Sequence, residues 1–182
     1  SMMERVDPQR IALILDRAMY EHIFHVCRKN KDKFTLNYFI LQTGLINVRT
    51  FLRVRKIDEN FEFLKSLLLP NEKFGEEFFK GLMEHPLENI QGELASTEYD
   101  SILPGLEEFI KTGSLTRFER MMDDFLLDYV RDARWNPMGI EPIIGFLLAK
   151  ENEIRIIRII MVGKINNLPA HSIRERLRDV YV

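Results

Sequence analysis

The histidines of the first predicted helix are the most obvious candidates for chemistry. His22 and His25 are three residues apart, a spacing at which two imidazoles can share a metal ion. The zinc-protease pattern, however, needs histidines four residues apart with a glutamate directly after the first. Here Glu21 precedes the pair, and the sequence shows no further ligand cluster. We therefore expect an ordinary surface or partly buried histidine pair, and we predict no metal site.

A row of carboxylates on the helix predicted over residues 115–134 is the second candidate. Asp124 and Asp128, with Asp132 beyond them, recur every four residues along one face. Paired carboxylates can perform acid–base chemistry or bind hard cations. The neighbouring Arg131 and Arg134 favour a simpler interpretation, a solvated charged face.

Motifs for cofactor chemistry are missing. The sequence contains no Gly-rich loop ending in Gly-Lys-Ser/Thr, which cradles nucleotide phosphates. No spacing favours a Ser-His-Asp or Cys-His arrangement, and Cys27 is the single cysteine. We predict no catalytic residue, no cofactor and no small-molecule substrate.

Charge and composition restrict the class of protein further. A formal net charge of −2 argues against a broad nucleic-acid surface, which needs clustered positive charge. Hydrophobic residues make up 46% of the 182 residues and charged residues 30%, as in a soluble globular protein. The longest apolar-rich stretch, residues 143–165, is interrupted by charged side chains, so we do not predict a membrane span there.

Helical periodicity runs through nearly the whole sequence and predicts an all-α fold. Asp7 and Pro8 are typical of a helix start, as N-cap and first helical residue. A second helix is predicted over 35–56, and a long one from Glu141-Pro142 to Asn166-Asn167. The apolar stripes expected to face the core are Ala12, Leu15, Met19, Ile23 and Val26 in the first helix and Tyr38, Leu41, Leu45, Val48 and Leu52 in the second.

Shorter helices are expected between these long ones. They are predicted over 61–68, 74–83, 87–95 and 99–111, with Thr112-Gly113 as a break and Ser114 as the N-cap of the helix over 115–134. Pro169 opens a last helix, expected to reach about residue 180. No segment has the alternating pattern of a strand, and the loops are short, so we expect a helical bundle or a repeat array.

The two long helices share a local pattern that suggests an internal repeat. Aligning Arg49 with Arg155 brings Val48 onto Ile154, and a Leu-Pro dipeptide follows each copy, Leu69-Pro70 and Leu168-Pro169. One helical unit used at least twice would need neighbours to bury its faces. We predict a first unit over about 1–110 and a second over about 111–182.

The last third of the sequence resembles a known family. Residues 141–155, Glu-Pro-Ile-Ile-Gly-Phe-Leu-Leu-Ala-Lys-Glu-Asn-Glu-Ile-Arg, closely resemble the signature of the C subunit of V-type and A-type ATPases, a relative of the d subunit of the vacuolar proton pump. Residues 162–177 resemble that family's C-terminus. Residues 7–18 and 47–53 resemble the opening of its middle unit and its repeated inner helix.

The resemblance implies a funnel-shaped, all-helical protein of three similar units, with this chain as its C-terminal portion. Ser1 before Met2 is expected to be a cloning remnant, so the chain is expected to be a fragment. The family sits peripherally on the cytoplasmic face of the membrane, between a proteolipid ring and a central shaft. It has no active site of its own. It passes torque, coupling ATP hydrolysis or synthesis to H⁺ or Na⁺ transport.

A socket for the shaft tip needs polar groups on helix faces that turn towards a cavity. Two stripes of polar side chains, one on each long helix, are the candidates: Gln42, Arg49, Arg53, Glu151, Arg155 and Arg158. Alternatively, Glu151 and Arg155 form an exposed helix pair of about 0.3–0.5 kcal/mol, or a buried bridge between repeats.

Other interpretations of the whole chain remain open. A free-standing helical scaffold that binds another protein would show the same helices, and a helical metalloenzyme would rest on His22 and His25 alone. Near the C-terminus, Arg174, Arg176 and Arg178 either face anionic lipid headgroups or form a solvated helix end.

Overall fold

The computed structural model describes residues 8–132 and 139–178, and every regular element in these ranges is helical. The expected N-cap Asp7 lies outside them. The elements, in chain order, are α1 (Pro8–Asn30), α2 (Lys33–Lys56), α3 (Phe61–Leu67), α4 (Glu76–Met83), α5 (Asn89–Ala95), the 3₁₀-helix η1 (Asp100–Ile102), α6 (Leu103–Thr112), α7 (Thr116–Asp132), α8 (Glu141–Ile165) and α9 (Ala170–Glu175). The all-α prediction is confirmed.

The chain divides into two compact units, Ser1–Glu84 and His85–Val182. In the first, α1 packs on α2, α2 on α3 and α3 on α4. In the second, α5, α6 and η1 pack together, and α7 packs against both α6 and α8. The repeat boundary near residue 110 stays a prediction, because compactness and repetition are different properties of a chain.

Helix α2 is the centre of the first unit. All five residues of its predicted stripe are buried, and Leu45, Phe51 and Leu52 have no exposed surface. Asp32 caps its start, because the Asp32 carboxylate accepts a hydrogen bond of 3.0 Å from the Thr35 amide. A central helix that is surrounded on several sides needs apolar residues beyond a single stripe. In α2 these additional residues include Val54, which is buried, and Phe51, whose ring stacks on that of Phe79.

The predicted core stripe of α1 is wrong at every residue except Ile23, which is partly buried and packs against the core. Leu15 is 63% exposed and Met19 47%, whereas Tyr20, Phe24 and Cys27 are buried. Tyr20 and Phe24 pack with Leu69, so α1 is rotated away from the stripe that its apolar spacing favoured. The face that α1 buries carries two aromatic rings, and aromatic side chains bury large apolar areas.

The second unit shows close helix packing at two glycines. A Cβ atom on Gly105 of α6 would lie 2.7 Å from the Cα atom of Phe118 on α7. A Cβ atom on Gly163 of α8 would lie 2.7 Å from a side-chain carbon of Ile173 on α9. Gly113 ends α6 in the left-handed conformation with φ 70°, as the Thr112-Gly113 break predicted.

Several predicted boundaries shift for local reasons. Helix α4 begins at Glu76 instead of residue 74, because the Asn71 side chain accepts hydrogen bonds from the amides of Lys73 and Phe74 and holds them in a turn. Helix α9 ends at Glu175, short of the expected residue 180. Within the described ranges, no helix is both long enough and apolar enough to cross a membrane.

Candidate functional site

The polar stripe of α2 lies partly against α1. The Tyr20 hydroxyl donates a hydrogen bond of 3.1 Å to Oε1 of Gln42, and both groups are partly buried. Burial raises the pKa of Tyr20, the Asp16 carboxylate raises it further, and the Arg49 guanidinium partly offsets both effects. Gln42 therefore contacts Tyr20 between the two helices, and the charge of Arg49 lies near enough to act on the Tyr20 hydroxyl.

Arg53, one helical turn beyond Arg49, is exposed. The α2 stripe thus runs from a partly buried end at Gln42 to an open end at Arg53. Only the open end is presented to an incoming partner without rearrangement of α1.

The polar stripe of α8 has a different arrangement. Arg155 does not pair with Glu151; its Nη1 donates to Oδ1 of Asp123 on α7 at 2.5 Å. The other carboxylate oxygen, Oδ2, accepts from Nε of Arg178 at 2.6 Å. Glu151 and Arg158 are exposed on α8. Asp123 therefore holds Arg155 in place, and the open members of this stripe are Glu151 and Arg158.

Asp123 also fixes the segment that follows α9. The side chain of Arg178 is only 11% exposed, and its Nη1 donates to the carbonyl of Arg176 as well. Two arginines on one carboxylate are strong charge-assisted contacts that link α7, α8 and the segment after α9. The Arg178 side chain is therefore neither solvated nor accessible to lipid headgroups, whereas Arg174 and Arg176 are exposed.

Arg17 has a structural role that the sequence pattern missed. Its guanidinium donates three hydrogen bonds of 2.9 Å to the carbonyls of Lys65, Ser66 and Leu68 at the end of α3. These carbonyls have no partner within α3, so the arginine acts as a cap supplied by another helix. An arginine within an amphipathic helix carries no local signal for such a distant cap.

Asn47 is a second structural residue without a predicted role. It is completely buried in α2 and exchanges hydrogen bonds with the backbone of Leu69, and it also donates to the Phe74 carbonyl at 2.9 Å. The available signal was its position, since a polar residue inside an apolar helix face normally needs a specific partner.

The candidates for chemistry do not assemble into a site. His22 and His25 are exposed on α1, and within the described residues no group of three or more metal-ligating side chains comes together. Asp124 pairs with Arg120 at 3.4 Å and Asp128 with Arg131 at 2.6 Å. The predicted solvated charged face is therefore found at Asp128, whereas Asp124 is only 21% exposed and is paired with Arg120. Arg134 and the Asp132 side chain lie outside the described residues.

Comparison with known proteins identifies the family. The family model for the ATP synthase (C/AC39) subunit matches residues 1–176. This chain belongs to that family. The matched range contains the residues of both polar stripes. The match also confirms the resemblance of residues 141–155 to the C/AC39 family.

Curated relatives of this C/AC39 chain are C subunits of ATP synthases and ATPases. The A-type ATP synthase C subunit of Methanothermobacter thermautotrophicus is 28% identical over 92% of this chain and 46% of its own length. That of Methanocaldococcus jannaschii is 36% identical over 50% of this chain and 23% of its own. The V-type sodium ATPase C subunit of Enterococcus hirae is 34% identical over 50% and 30%. The chain thus spans less than half of these relatives, and no solved structure matches it significantly.

Proposed function

We propose that this chain is part of the central-stalk adaptor of a rotary V-type or A-type ATPase. The adaptor lies peripherally at the cytoplasmic face of the membrane and links the rotating shaft to the proteolipid ring. It passes torque between them and so couples ATP hydrolysis or synthesis to H⁺ or Na⁺ transport. The observation that carries this proposal is the family match over residues 1–176, together with relatives that are named as the C subunits of such enzymes.

The helices support a mechanical role. Helix α2 has 24 residues and α8 has 25, so each is about 35 Å long at ~1.5 Å per residue. Residues 38–52 of α2 are all buried or partly buried. Helix α8 is held to α7 by the Arg155–Asp123 ion pair. Rods braced in this way resist bending, as a component that transmits torque must.

We propose that the adaptor has no catalytic activity of its own and needs neither a cofactor nor a substrate. It would act only by binding its neighbours in the enzyme. The ion pairs of Asp124 and Asp128 support this proposal, because they satisfy carboxylates that could otherwise take part in acid–base chemistry.

The residues that we propose for shaft contact are the polar stripe of α2 and the polar stripe of α8, each within its own unit. Arg53, Glu151 and Arg158 are exposed and would contact the shaft directly. Gln42, Arg49 and Arg155 would support them, because each is already held by or lies close to a side chain of a neighbouring helix. Since every socket residue is polar, the contact would be sensitive to salt.

Pull-down of the central shaft subunits by the full-length native protein tests the proposal. We expect the wild type to bind, and Arg53→Glu to weaken binding by about tenfold or more, since it reverses the charge at the exposed end of the α2 stripe. Lys111→Glu is the matched control, because Lys111 is an exposed cation of α6 outside both stripes. Absence of shaft binding by the wild type would contradict the adaptor role, and equal effects of the two variants would contradict the socket.

A free-standing helical scaffold is the second candidate. The exposed apolar residues of α1, among them Ile14 and Leu15, favour it, because such a face is typical of protein–protein contact. Binding to a protein other than the shaft and ring, with neither of those bound, would support the scaffold over the adaptor.

A further inference from the structure

The turn that joins α8 to α9 exposes apolar side chains at its tip. Every residue from 161 to 168 except Gly163 is exposed, and four of the exposed side chains are large and apolar: Met161, Val162, Ile165 and Leu168. Ile165, at 74%, is the most exposed large apolar side chain in the described part of the chain. We call residues 161–168 the α8–α9 tip. An apolar cluster of this kind normally marks a contact with another molecule.

Hydrogen bonds and close packing hold the tip in this shape. Asn167 adopts the left-handed conformation with φ 54°, and its amide donates to the Lys164 carbonyl at 3.1 Å. The Leu168 amide donates to the Gly163 carbonyl at 2.9 Å, which completes a Schellman motif. A Cβ atom on Gly163 would lie 2.7 Å from a side-chain carbon of Ile173, so α9 packs closely on this end of α8. The corner is therefore closed, with its large apolar side chains on the outside.

The charges around the tip are almost all positive. Residues 161–178 contain four lysines and arginines and one glutamate, although the whole chain has a formal net charge of −2. Lys164, Arg174 and Arg176 are exposed, whereas Arg178 is held inside the fold. Arg174 follows Leu168 by six residues, about 9 Å along a helix, which is close to one Debye length at physiological salt. The tip is therefore an apolar corner within a positive field.

The rest of α8 differs from the tip in its charges. It also exposes apolar side chains, namely Ile143, Phe146, Leu147, Ile154 and Ile157. Charges of both signs lie among these residues: Lys150, Glu151, Glu153, Arg155 and Arg158. Glu153, the nearest glutamate before the tip, lies twelve residues before Ile165, about 18 Å along α8, and pairs with Lys150 at 2.7 Å. At that distance its charge is screened from the end of α8, so it does not offset the cations there.

We propose that the α8–α9 tip binds the surface of an anionic phospholipid membrane. Ile165 and Leu168 enter the boundary between headgroups and acyl chains, and the exposed cations near them face the headgroups. Apolar side chains beside lysines and arginines are typical of segments that bind at this boundary without crossing the bilayer. The contact lies outside the proposed shaft-binding residues and does not depend on them.

Other anionic partners fit the tip less well. Nucleic acid would attract the cations, but its phosphates and sugars offer no apolar environment to Ile165. An acidic protein would need a groove that matches an outward-projecting corner, because protein interfaces pack as closely as protein interiors. A bilayer surface deforms around such a corner and needs no preformed groove.

Co-sedimentation with vesicles tests the proposal. The wild type should sediment with vesicles of phosphatidylcholine mixed with phosphatidylglycerol, and not with vesicles of phosphatidylcholine alone. Sodium chloride should weaken the binding, because it screens the attraction of the cations to the headgroups. Equal binding to the two kinds of vesicle, or binding to neither, would overturn the proposal.

A substitution at the tip tests the apolar contact. Ile165→Glu should weaken binding to the anionic vesicles by about tenfold or more, because a carboxylate is excluded from the acyl boundary and repelled by the headgroups. Leu15→Glu is the matched control, since Leu15 is an exposed apolar residue of α1, in the other unit. Circular dichroism should show unchanged helicity in both variants. Equal losses of binding in the two variants would overturn the assignment to the tip.

A pair of arginine substitutions tests the charges without touching the apolar residues. Arg174→Gln combined with Arg176→Gln should weaken vesicle binding by about tenfold, since each cation near an anionic surface adds to the attraction. Arg10→Gln combined with Lys111→Gln has the same net charge and changes two exposed cations away from the tip. If this control loses as much affinity, binding depends on total charge alone and the tip has no specific role.

A fluorescent label at the tip separates a membrane from an acidic protein. Native Cys27 is buried, so an environment-sensitive fluorophore can be attached to Ile165→Cys. Its emission should shift to the blue with anionic vesicles and stay unchanged with polyglutamate, a soluble acidic polymer. A blue shift with polyglutamate, or none with vesicles, would overturn the membrane assignment.

The full-length native protein tests whether the tip stays accessible beyond these 182 residues. It should bind the same anionic vesicles, and Ile165→Glu should weaken that binding as well. If only the 182-residue chain binds, the rest of the protein covers the tip and the proposal is wrong. Pull-down of the shaft subunits by Ile165→Glu should match the wild type, so loss of membrane binding and loss of shaft binding are separate results.

Discussion

Asn47 and Leu69 exchange two hydrogen bonds across the first unit. Nδ2 of Asn47 donates to the Leu69 carbonyl at 2.9 Å, and the Leu69 amide donates to Oδ1 of Asn47 at 2.8 Å. The same Nδ2 also donates to the Phe74 carbonyl. One buried amide side chain thus replaces the secondary-structure partners that the irregular segment 68–75 lacks, and it fixes that segment on α2.

Replacement of Asn47 should strongly destabilise the first unit. In Asn47→Leu the backbone groups of Leu69 and Phe74 stay buried without a partner, at a cost of about 2–4 kcal/mol in the free energy of unfolding. Urea denaturation followed by circular dichroism measures this cost. Asn37→Leu is the control, because Asn37 is exposed on the same helix. If Asn47→Leu lowers the free energy of unfolding no more than Asn37→Leu does, water replaces the Asn47 side chain as the partner of these backbone groups.

The ion pairs of Asp123 with Arg155 and Arg178 should keep the segment after α9 ordered. Asp123→Ala removes the partner of both Arg155 and Arg178, so the amides of residues 176–178 should exchange faster with deuterium than in the wild type. Arg178→Ala should reproduce this effect more fully than Arg155→Ala, because Arg178 is the more buried of the two arginines. Asp128→Ala, at a mostly exposed ion pair, should leave exchange in this segment unchanged.

Two glycine substitutions in the second unit should change stability in opposite directions. Gly105→Ala forces a Cβ atom against the backbone of Phe118, so it should cost about 1–3 kcal/mol. Gly92→Ala, with nothing within 4 Å of the added carbon, should stabilise α5 by ~0.5–1 kcal/mol. Thermal unfolding of both variants checks the pair. Equal shifts in Tm would contradict the close approach of α6 and α7.

Tyr99 should make stability fall at alkaline pH. It is buried, and burial, followed by the charge of Glu98, raises its pKa above the ordinary value of 10.0. The folded state therefore keeps the proton that the unfolded chain loses near pH 10. This contribution is fully present below that pH and is lost as pH rises further towards the folded pKa.

Comparison of the wild type with Tyr99→Phe tests this dependence. The free energy of unfolding should fall less steeply between about pH 9 and about pH 11 in the variant, because the titrating hydroxyl is gone. Parallel curves for the two proteins would show that Tyr99 does not titrate differently in the folded and unfolded states.

Local signals in the sequence predicted most of the helices. The stripe Leu41, Leu45, Val48 and Leu52 is buried as expected, and Gly113 ends α6. Ser114 lies in the turn before α7, where its hydroxyl accepts from the Thr116 amide at 3.4 Å, but α7 begins at Thr116, one residue later than predicted. These features depend on residues within a few positions of one another, so periodicity and capping rules are sufficient for them.

Side-chain partners in the candidate site were not predictable in this way. Both polar stripes were chosen from spacing, yet spacing could not show that Arg155 binds Asp123 or that Gln42 accepts from Tyr20. Each contact joins two helices, and several arginines and carboxylates compete for each position. Which of them meet depends on the rotation of whole helices.

By itself, then, the sequence determined the helical class, the order of the helices and, through residues 141–155, the family. Only the tertiary structure decided that α1 buries Tyr20 and Phe24 instead of Leu15 and Met19, and that Arg178 folds onto Asp123. The physical reason is range. Helix formation is a local hydrogen-bonding equilibrium, whereas the buried face and the paired charges are set by contacts between residues far apart in the chain.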